Sequence, residues 1–107
     1  MSRGHDRERA VKRILEGQDW WVSRAAGSLG DADLVALKAG KRPLLIECKS
    51  SSAQRGPFAD FGPKDRADLL FAASIAGADA TLCWWPPRGN PTWITPDCWP
   101  GRREVAA

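Results

Sequence analysis

The strongest constraint on the fold is a short hairpin between residues 33 and 49. Two apolar runs, Leu34–Leu37 and Leu44–Ile46, flank the polar segment Lys38–Arg42, which has Gly40 at its centre. Short apolar runs separated by a glycine-containing turn predict two antiparallel strands, Asp33–Leu37 and Leu44–Lys49. A register centred on Gly40 places Asp33 opposite Glu47. The fold must therefore hold two carboxylates close together.

Other periodic segments lie on both sides of the hairpin. Apolar residues at helical spacing and a following glycine predict a helix over about Asp6–Glu16. A second helix is predicted from Pro63 to near Gly77, with apolar and small residues along one side. That side comprises Ala67, Leu70, Phe71 and Ser74. The further predicted strands are Asp19–Arg24, Ala80–Trp85 and a short Thr92–Thr95, and Ser50–Gly62 is predicted as a polar loop. The order αβββαβ indicates an α/β domain with a mixed central sheet flanked by helices.

Length and composition limit the class of protein. The 107 residues are 43% hydrophobic and 27% charged, so we expect one globular domain over residues 1–107. No apolar run approaches the roughly 20 residues of a membrane span, and the basic start lacks a signal-peptide core. A membrane protein, a secreted protein and a disordered tail are all disfavoured.

Positive charge is concentrated in the first two thirds of the chain. Residues 1–66 hold 13 Lys/Arg and 9 Asp/Glu, whereas residues 67–107 hold 3 and 4, for a net charge of +3 overall. A basic region favours an anionic partner, most commonly nucleic acid. The solvated surface of a slightly basic domain is the alternative.

The cysteines do not predict a metal site. Cys48, Cys83 and Cys98 form no C-x-x-C pair, and His5 is the only histidine, so zinc is not expected. Scattered thiols without a signal peptide are typical of reduced cysteines in the cytoplasm.

A Trp/Pro-rich segment lies at the C-terminus, over about residues 86–107 and just after Trp84 and Trp85. We expect these aromatic residues to cap the core of the domain itself. A dimer face and base stacking are the alternatives.

The hairpin indicates a functional site, because two opposed carboxylates repel each other unless something compensates their charge. Directly opposed residues have Cβ atoms roughly 5 Å apart, which is tolerable when a proton or a cation lies between the side chains. Oxygen ligands at this spacing suit Mg²⁺ or Mn²⁺. Strand alternation projects Glu47 and Lys49 together beside Asp33, and turns Cys48 into the opposite apolar face as a small core residue.

A third carboxylate, Glu8, falls on the apolar side of the first helix. It is either a surface residue favoured by the helix dipole or a member of the acidic cluster. Three carboxylates and Lys49 would suit metal-assisted phosphodiester hydrolysis. The alternative is a surface salt bridge of Lys49 with Glu47 or Asp31.

These residues also carry a family resemblance. Glu8-Arg9, Val22–Ser28, Asp33 and Glu47-Cys48-Lys49 resemble, in order and spacing, the PD-(D/E)XK nuclease core. Over residues 4–85 the pattern resembles the archaeal-type Holliday junction resolvases, including their small viral relatives. Ala32 stands where the motif has proline, and Asp31 could replace or supplement Asp33.

The resemblance implies a restriction-endonuclease-like fold and an Mg²⁺- or Mn²⁺-dependent endonuclease. Such an enzyme acts as a homodimer on four-way DNA junctions and leaves 5′-phosphate and 3′-hydroxyl ends. We expect neither a nucleotide cofactor nor an association with membranes. The other functions considered are a nickase or restriction-like nuclease acting on another DNA form, a catalytically silent junction-binding module, and a structural interaction domain.

The resemblance also assigns roles to residues. Asp33, Glu47 and the Cys48 carbonyl would hold the metal, with Glu8 completing the acidic cluster. Lys49 would serve the nucleophilic water. The expected DNA contacts are Arg9, Arg24, Arg55 and Ser28. Ser28, on a mobile loop near the scissile bond, is also expected to be catalytic, with Glu8, Asp33, Glu47 and Lys49.

Overall fold

The computed structural model describes residues 3–24 and 32–101, with side chains from Asp6 onwards. It contains two α-helices, five strands and one 3-10 helix. In chain order these are α1 (Arg3–Glu16), β1 (Trp21–Arg24), β2 (Leu34–Leu37), β3 (Leu44–Ser50), α2 (Pro63–Ala76), β4 (Asp79–Trp85), β5 (Thr92–Ile94) and the 3-10 turn Pro96–Cys98.

The strands form one mixed sheet in the order β1-β2-β3-β4-β5. Neighbouring strands are antiparallel except β3 and β4, which are parallel from Leu44↔Asp79 to Ser50↔Trp85. A parallel pair needs a crossover connection, and the segment containing α2 supplies it. The predicted mixed α/β fold is confirmed.

The predicted hairpin register is also confirmed. Leu34 pairs with Ile46 and Ala36 with Leu44, centred on Gly40, whose φ of 77° fits a tight turn. The predicted start of the strand at Asp33 is wrong by one residue. The ladder ends at Leu34, and the Asp33 backbone N–H donates to the Ile46 carbonyl at 2.9 Å. Asp33 thus lies at a bend beside the sheet rather than in a ladder pair with Glu47.

Each face of the sheet packs against one helix, because side chains alternate along β3. Ile46 belongs to the core under α1, whose other buried members are Val11, Leu15, Val22, Leu34, Ala36 and Cys83. Leu45 belongs to the core under α2, with Phe61, Leu69, Ala73, Ala78, Ala80, Leu82 and Trp99. Glu47 and Lys49, which alternate with Ile46 and Cys48, therefore lie on the α2 side.

The second helix confirms its predicted limits, but it buries a different side. It starts at Pro63 and ends against Gly77, whose φ of 64° is the left-handed cap that glycine allows. The buried residues are Leu69 and Ala73, whereas Phe71 is 66% exposed. The predicted face failed because this helix carries apolar residues on several sides, so spacing alone does not select the buried one.

Element ends differ from the predictions for local reasons. Asp19 was predicted to begin the first strand, but it has a φ of 72° in the turn after α1, so β1 begins only at Trp21. The first helix begins earlier than predicted, at Arg3, and β4 begins one residue earlier, at Asp79. The 3-10 turn Pro96–Cys98 was not predicted.

The C-terminal aromatic residues pack on the core of this chain, as expected. Trp99 is 4% exposed and meets Phe61 edge-to-face at 5.0 Å, and its indole N–H donates to the Ile94 carbonyl. Trp84 packs on the α2 side and Trp85 on the α1 side. Among the described residues, no helix is long and apolar enough to cross a membrane.

Candidate active site

The site is built on Asp33, which precedes β2, and on the second half of β3. The Asp33 Oδ2 accepts a hydrogen bond from the Cys48 backbone N–H at 2.8 Å. The β2–β3 ladder ends at Leu34 and Ile46. Beyond that point, the Asp33 side chain accepts the Cys48 N–H in place of a backbone carbonyl of β2. Asp33 is thereby held against the residue that separates Glu47 from Lys49.

Glu47 and Lys49 point together from the α2 side of β3. The Lys49 Nζ lies 3.4 Å from the Glu47 Oε2, and the two side chains are 28% and 15% exposed, respectively. A half-buried ammonium beside a largely buried carboxylate keeps donors and acceptors within reach of solvent. The juxtaposition expected from strand alternation is present.

Burial and a nearby like charge shift the pKa of the Glu47 carboxyl group. Burial, followed by the negative charge of Asp33, raises the pKa of Glu47 to about 7, against the opposing effect of Lys49. Asp65, in the first turn of α2, raises this pKa further. The carboxylate is therefore poorly compensated by the protein alone.

The pKa of Asp33 is raised as well. Burial raises the pKa of Asp33, and the charge of Glu8 adds to the effect. The Cys48 N–H, Lys49 and Arg24 lower the pKa, but they do not cancel the increase. Two partly buried carboxyl groups with raised pKa values therefore interact in one region, and an added cation would lower both pKa values.

Glu8 and Arg24 connect this region to α1 and β1. The Arg24 Nε and Nη2 lie 3.3 and 3.2 Å from the same carboxylate oxygen of Glu8. The two side chains are 16% (Glu8) and 28% (Arg24) exposed. The sequence left Glu8 open between a surface role and the cluster. The structure places it close enough to Asp33 to influence the pKa of Asp33.

The carboxylate oxygens of Asp33 and Glu47 suit a hard divalent cation that takes few of its ligands from the protein. Among the described residues, no three His, Cys, Asp or Glu side chains converge into a ready metal cage. Mg²⁺ commonly keeps several waters and takes only one or two carboxylates. Asp33 and Glu47 offer two such carboxylates, and burial, as the largest cause, raises the pKa of both.

Cys48 serves the core through its side chain, as predicted. It packs on the α1 side, opposite Cys83 in the parallel ladder. A hydrogen bond with Cys83 and burial raise the pKa of Cys48 far above the ordinary thiol value. A thiol that stays protonated is not a nucleophile.

The remaining predicted DNA contacts lie on the surface or outside the described residues. Arg9 is exposed on α1 with its guanidinium 4.0 Å from Asp6. Arg55 is exposed in the loop between β3 and α2, 3.2 Å from Asp60. Ser28 and Asp31 fall in the segment that is not described.

Sequence reasoning missed two electrostatic partners. The Arg24–Glu8 ion pair joins residues on different elements, which no spacing rule relates. Asp65 acts on Glu47 from the start of α2, and its position in the first turn of a helix was the only available signal.

Comparison with known proteins agrees with this architecture. The profile of the archaeal Holliday junction resolvase family (Hjc) matches residues 1–103. This chain belongs to the Hjc family. A curated relative, the crossover junction endodeoxyribonuclease Hjc of Methanocaldococcus jannaschii, is 46% identical over 50 residues, which are 47% of this chain and 36% of the relative. The matched segment is thus about a third of that protein's length.

A solved Hjc structure shares the fold. The Holliday junction resolvase Hjc of Archaeoglobus fulgidus superposes with a TM-score of 0.71, covering 88% of this chain and 73% of its own. The sequences are 22% identical, so this likeness establishes the fold alone. The predicted family and fold are therefore confirmed.

Proposed function

We propose that this protein is a metal-dependent endonuclease that resolves four-way DNA junctions by hydrolysing phosphodiester bonds. The observation that carries the proposal is the partly buried pair Asp33 and Glu47 with Lys49 beside it. Two raised carboxyl pKa values next to a lysine are the arrangement expected of a working site rather than of a plain core. Membership of the Hjc family supports the substrate.

Asp33 and Glu47 would hold Mg²⁺ or Mn²⁺, with the Cys48 carbonyl as a further ligand. A divalent ion held by these groups would lower the pKa of water and stabilise charge on the phosphate. Lys49, held 3.4 Å from Glu47, donates to the attacking water or to a non-bridging phosphate oxygen. Cleavage leaves 5′-phosphate and 3′-hydroxyl ends.

Arg24 and Glu8 act around this centre. Arg24 positions Glu8 through their ion pair and lowers the pKa of Asp33, so it supports the site in addition to its expected contact with a DNA phosphate. Arg9 and Arg55 are exposed cations that would meet phosphates further out. Ser28 stays a predicted contact near the scissile bond.

The expected partners follow from the chemistry and the family. The substrate is a branched DNA with two strands to cut, and a homodimer would supply one site for each strand. That no nucleotide cofactor takes part stays a prediction from the sequence. A cytoplasmic location stays a prediction, to which the free thiols of Cys48, Cys83 and Cys98 add support.

The test compares DNA forms under identical salt conditions. Synthetic four-way junction, flap, mismatch and plain duplex are incubated with Mg²⁺ or Mn²⁺, using wild-type protein, Glu47→Gln and the control Glu16→Gln. Glu16 is also paired with a lysine, but it is exposed on α1. We expect the junction to be cut fastest, Glu47→Gln to be inactive, and the control to match wild type.

Two results would contradict the proposal. Equal rates on every DNA form would replace junction resolution with a nickase or restriction-like activity. Tight, salt-sensitive junction binding without metal-dependent cutting would identify a catalytically silent binding module.

A further inference from the structure

A small recess lies at the end of β3 and β4, beside the first half of α1. The described residues that line it are Arg7, Cys48, Lys49, Ser50 and Trp85. Ser50 and Trp85 form the last pair of the parallel ladder. The recess has a volume of about 20 Å³, which is room for a single oxygen atom or water molecule.

Arg7 brings a positive charge to this recess without an ion pair among the described residues. Its side chain is half-buried, and its guanidinium lies over the Trp85 ring, 5.8 Å from the centroid. The adjacent carboxylate of Glu8 is paired with Arg24. Attraction to the face of an aromatic ring uses the charge of a guanidinium, but it leaves the N–H groups without an acceptor atom. Arg7 therefore keeps donors for a ligand.

The indole N–H of Trp85 is a second donor without an acceptor. Its nitrogen is buried and has no hydrogen-bond partner within the described residues. Unpaired buried donors destabilise a fold and are rare. Trp84, on the other side of the sheet, shows the usual situation, because its indole N–H donates to the Ser51 Oγ at 2.8 Å. A ligand oxygen in the recess can supply the acceptor that Trp85 lacks.

The lining of the recess fits an anionic oxygen. Arg7 and Lys49 are cations, Ser50 adds an exposed hydroxyl group, and none of the described lining residues is a carboxylate. Positive charge without a carboxylate disfavours a metal cation, and the volume is too small for an apolar side chain. A non-bridging phosphate oxygen has the required charge, size and capacity to accept hydrogen bonds.

The recess adjoins the candidate active site. Arg7 directly precedes Glu8 on α1, and Lys49, which lines the recess, lies 3.4 Å from the Glu47 carboxylate. Cys48, whose N–H holds Asp33, also lines the recess. A phosphate bound here is therefore a neighbour of the phosphate at the carboxylate pair.

We propose that Arg7, Ser50 and the Trp85 indole N–H bind one DNA backbone phosphate next to the phosphate that is cut. The inference rests on the proposed function in taking DNA as the substrate, and it adds a phosphate subsite to it. A second phosphate held at a fixed place sets the register of the strand, so that a single phosphodiester bond reaches the carboxylates.

Junction binding, measured by fluorescence anisotropy in EDTA, tests the subsite without cutting the DNA. The proteins are wild type, Arg7→Met and the control Arg13→Met, which removes a positive charge from an exposed position of the same helix. We expect Arg7→Met to raise the Kd ~10-fold or more and to reduce the slope of log Kd against log [NaCl] by about 1, because one phosphate contact is lost. Arg13→Met should change the Kd less than ~3-fold and leave the slope as in wild type.

Trp85→Phe separates the indole N–H from the ring that lies under Arg7. Phenylalanine keeps an aromatic face for the guanidinium but has no donor. We expect the Kd to rise ~3- to 10-fold at an unchanged salt slope, because a hydrogen bond is lost and no charge is removed. Circular dichroism checks the fold of each variant, and the Arg7 comparison decides the proposal alone if Trp85→Phe does not fold.

Methylphosphonate substitution locates the phosphate on the DNA. One linkage at a time, around the branch point, receives a neutral methyl group in place of a charged oxygen. At one position the substitution should weaken wild-type binding ~10-fold and leave the binding of Arg7→Met unchanged, because the variant has already lost that contact. Equal losses in both proteins at every position would overturn the inference.

Other results would also overturn it. One is a wild-type affinity and salt slope in Arg7→Met, and another is an equal loss in Arg13→Met. A third is a recess that serves a free anion: inorganic phosphate at constant ionic strength would then raise the melting temperature of wild type, while Arg7→Met would bind the junction as wild type does.

The outcome is separable from that of the proposed function. Junction binding that depends on Arg7, in a protein that cuts no DNA with Mg²⁺ or Mn²⁺, would support the subsite and contradict the nuclease. Junction resolution by wild type, with unchanged binding and cutting by Arg7→Met, would do the opposite.

Discussion

The two ends of α2 present opposite surfaces. Near its start, Asp65 faces the polar site around Glu47, where burial and like charge raise carboxyl pKa values. Its last turns carry no charge and expose Phe71 and Ile75. The start of α2 thus borders the candidate site, whereas its last turns are apolar and partly exposed. Substitutions made in one region at a time distinguish the two.

Lys49, at the charged end, is the cation closest to Glu47 in the candidate site. Lys49→Met keeps the length of the side chain but removes its ammonium, and we expect junction cleavage under single turnover to fall roughly 10³-fold. Circular dichroism should match that of wild type, because the Lys49 side chain is 28% exposed and the substitution keeps its length. A cleavage rate within a few fold of wild type would remove Lys49 from the reaction.

At the apolar end, neighbouring residues of α2 should differ in their effect on folding. Leu69→Ala empties a fully buried position and should lower the free energy of unfolding by about 3 kcal/mol. Phe71→Ala should change it by less than about 0.5 kcal/mol, since Phe71 is 66% exposed. Both are measured by urea denaturation at the same protein concentration. Equal losses would mean that Phe71 belongs to the core.

Stability should depend on pH through Glu47. Its folded-state pKa of about 7 exceeds the ordinary value of 4.5, so its contribution is favourable below about pH 4.5 and is lost as the pH rises through 7. Without divalent cation, Glu47→Gln should therefore be more stable than wild type at pH 8, by about 1–3 kcal/mol, and not at pH 5. Thermal denaturation at both pH values checks this prediction.

Added Mg²⁺ provides the control for that measurement. If Asp33 and Glu47 hold the cation, Mg²⁺ should stabilise wild type at pH 8 and leave Glu47→Gln nearly unchanged. A stability difference that is the same at pH 5 and pH 8 would contradict the raised pKa of Glu47.

Much of the charged end was predictable because local rules govern it. The Gly40 turn sets the register of β2 and β3, and strand alternation sets the common side of Glu47 and Lys49. The bend at Asp33 was not predictable, since it depends on a hydrogen bond from Cys48 that forms only after the two strands have paired. The Arg24–Glu8 pair likewise requires α1 to be docked on β1.

The buried side of the apolar end was harder to predict, because apolar residues occur on several sides of the helix and give no periodic pattern. A helix with Leu69, Leu70, Phe71, Ala72, Ala73 and Ile75 in close succession has no single apolar stripe. Which side it buries is decided by Leu45, Phe61 and Leu82 across the core, through tertiary contacts that periodicity cannot see.

We expect Asp33 and Glu47 to form the catalytic centre. Single-turnover cleavage of a four-way junction by Asp33→Asn is the decisive measurement. The control is Asp60→Asn, an exposed aspartate paired with Arg55. With Mg²⁺ present and folding verified by circular dichroism, the account predicts no detectable cleavage by Asp33→Asn and a wild-type rate for Asp60→Asn. Wild-type cleavage by folded Asp33→Asn would contradict it.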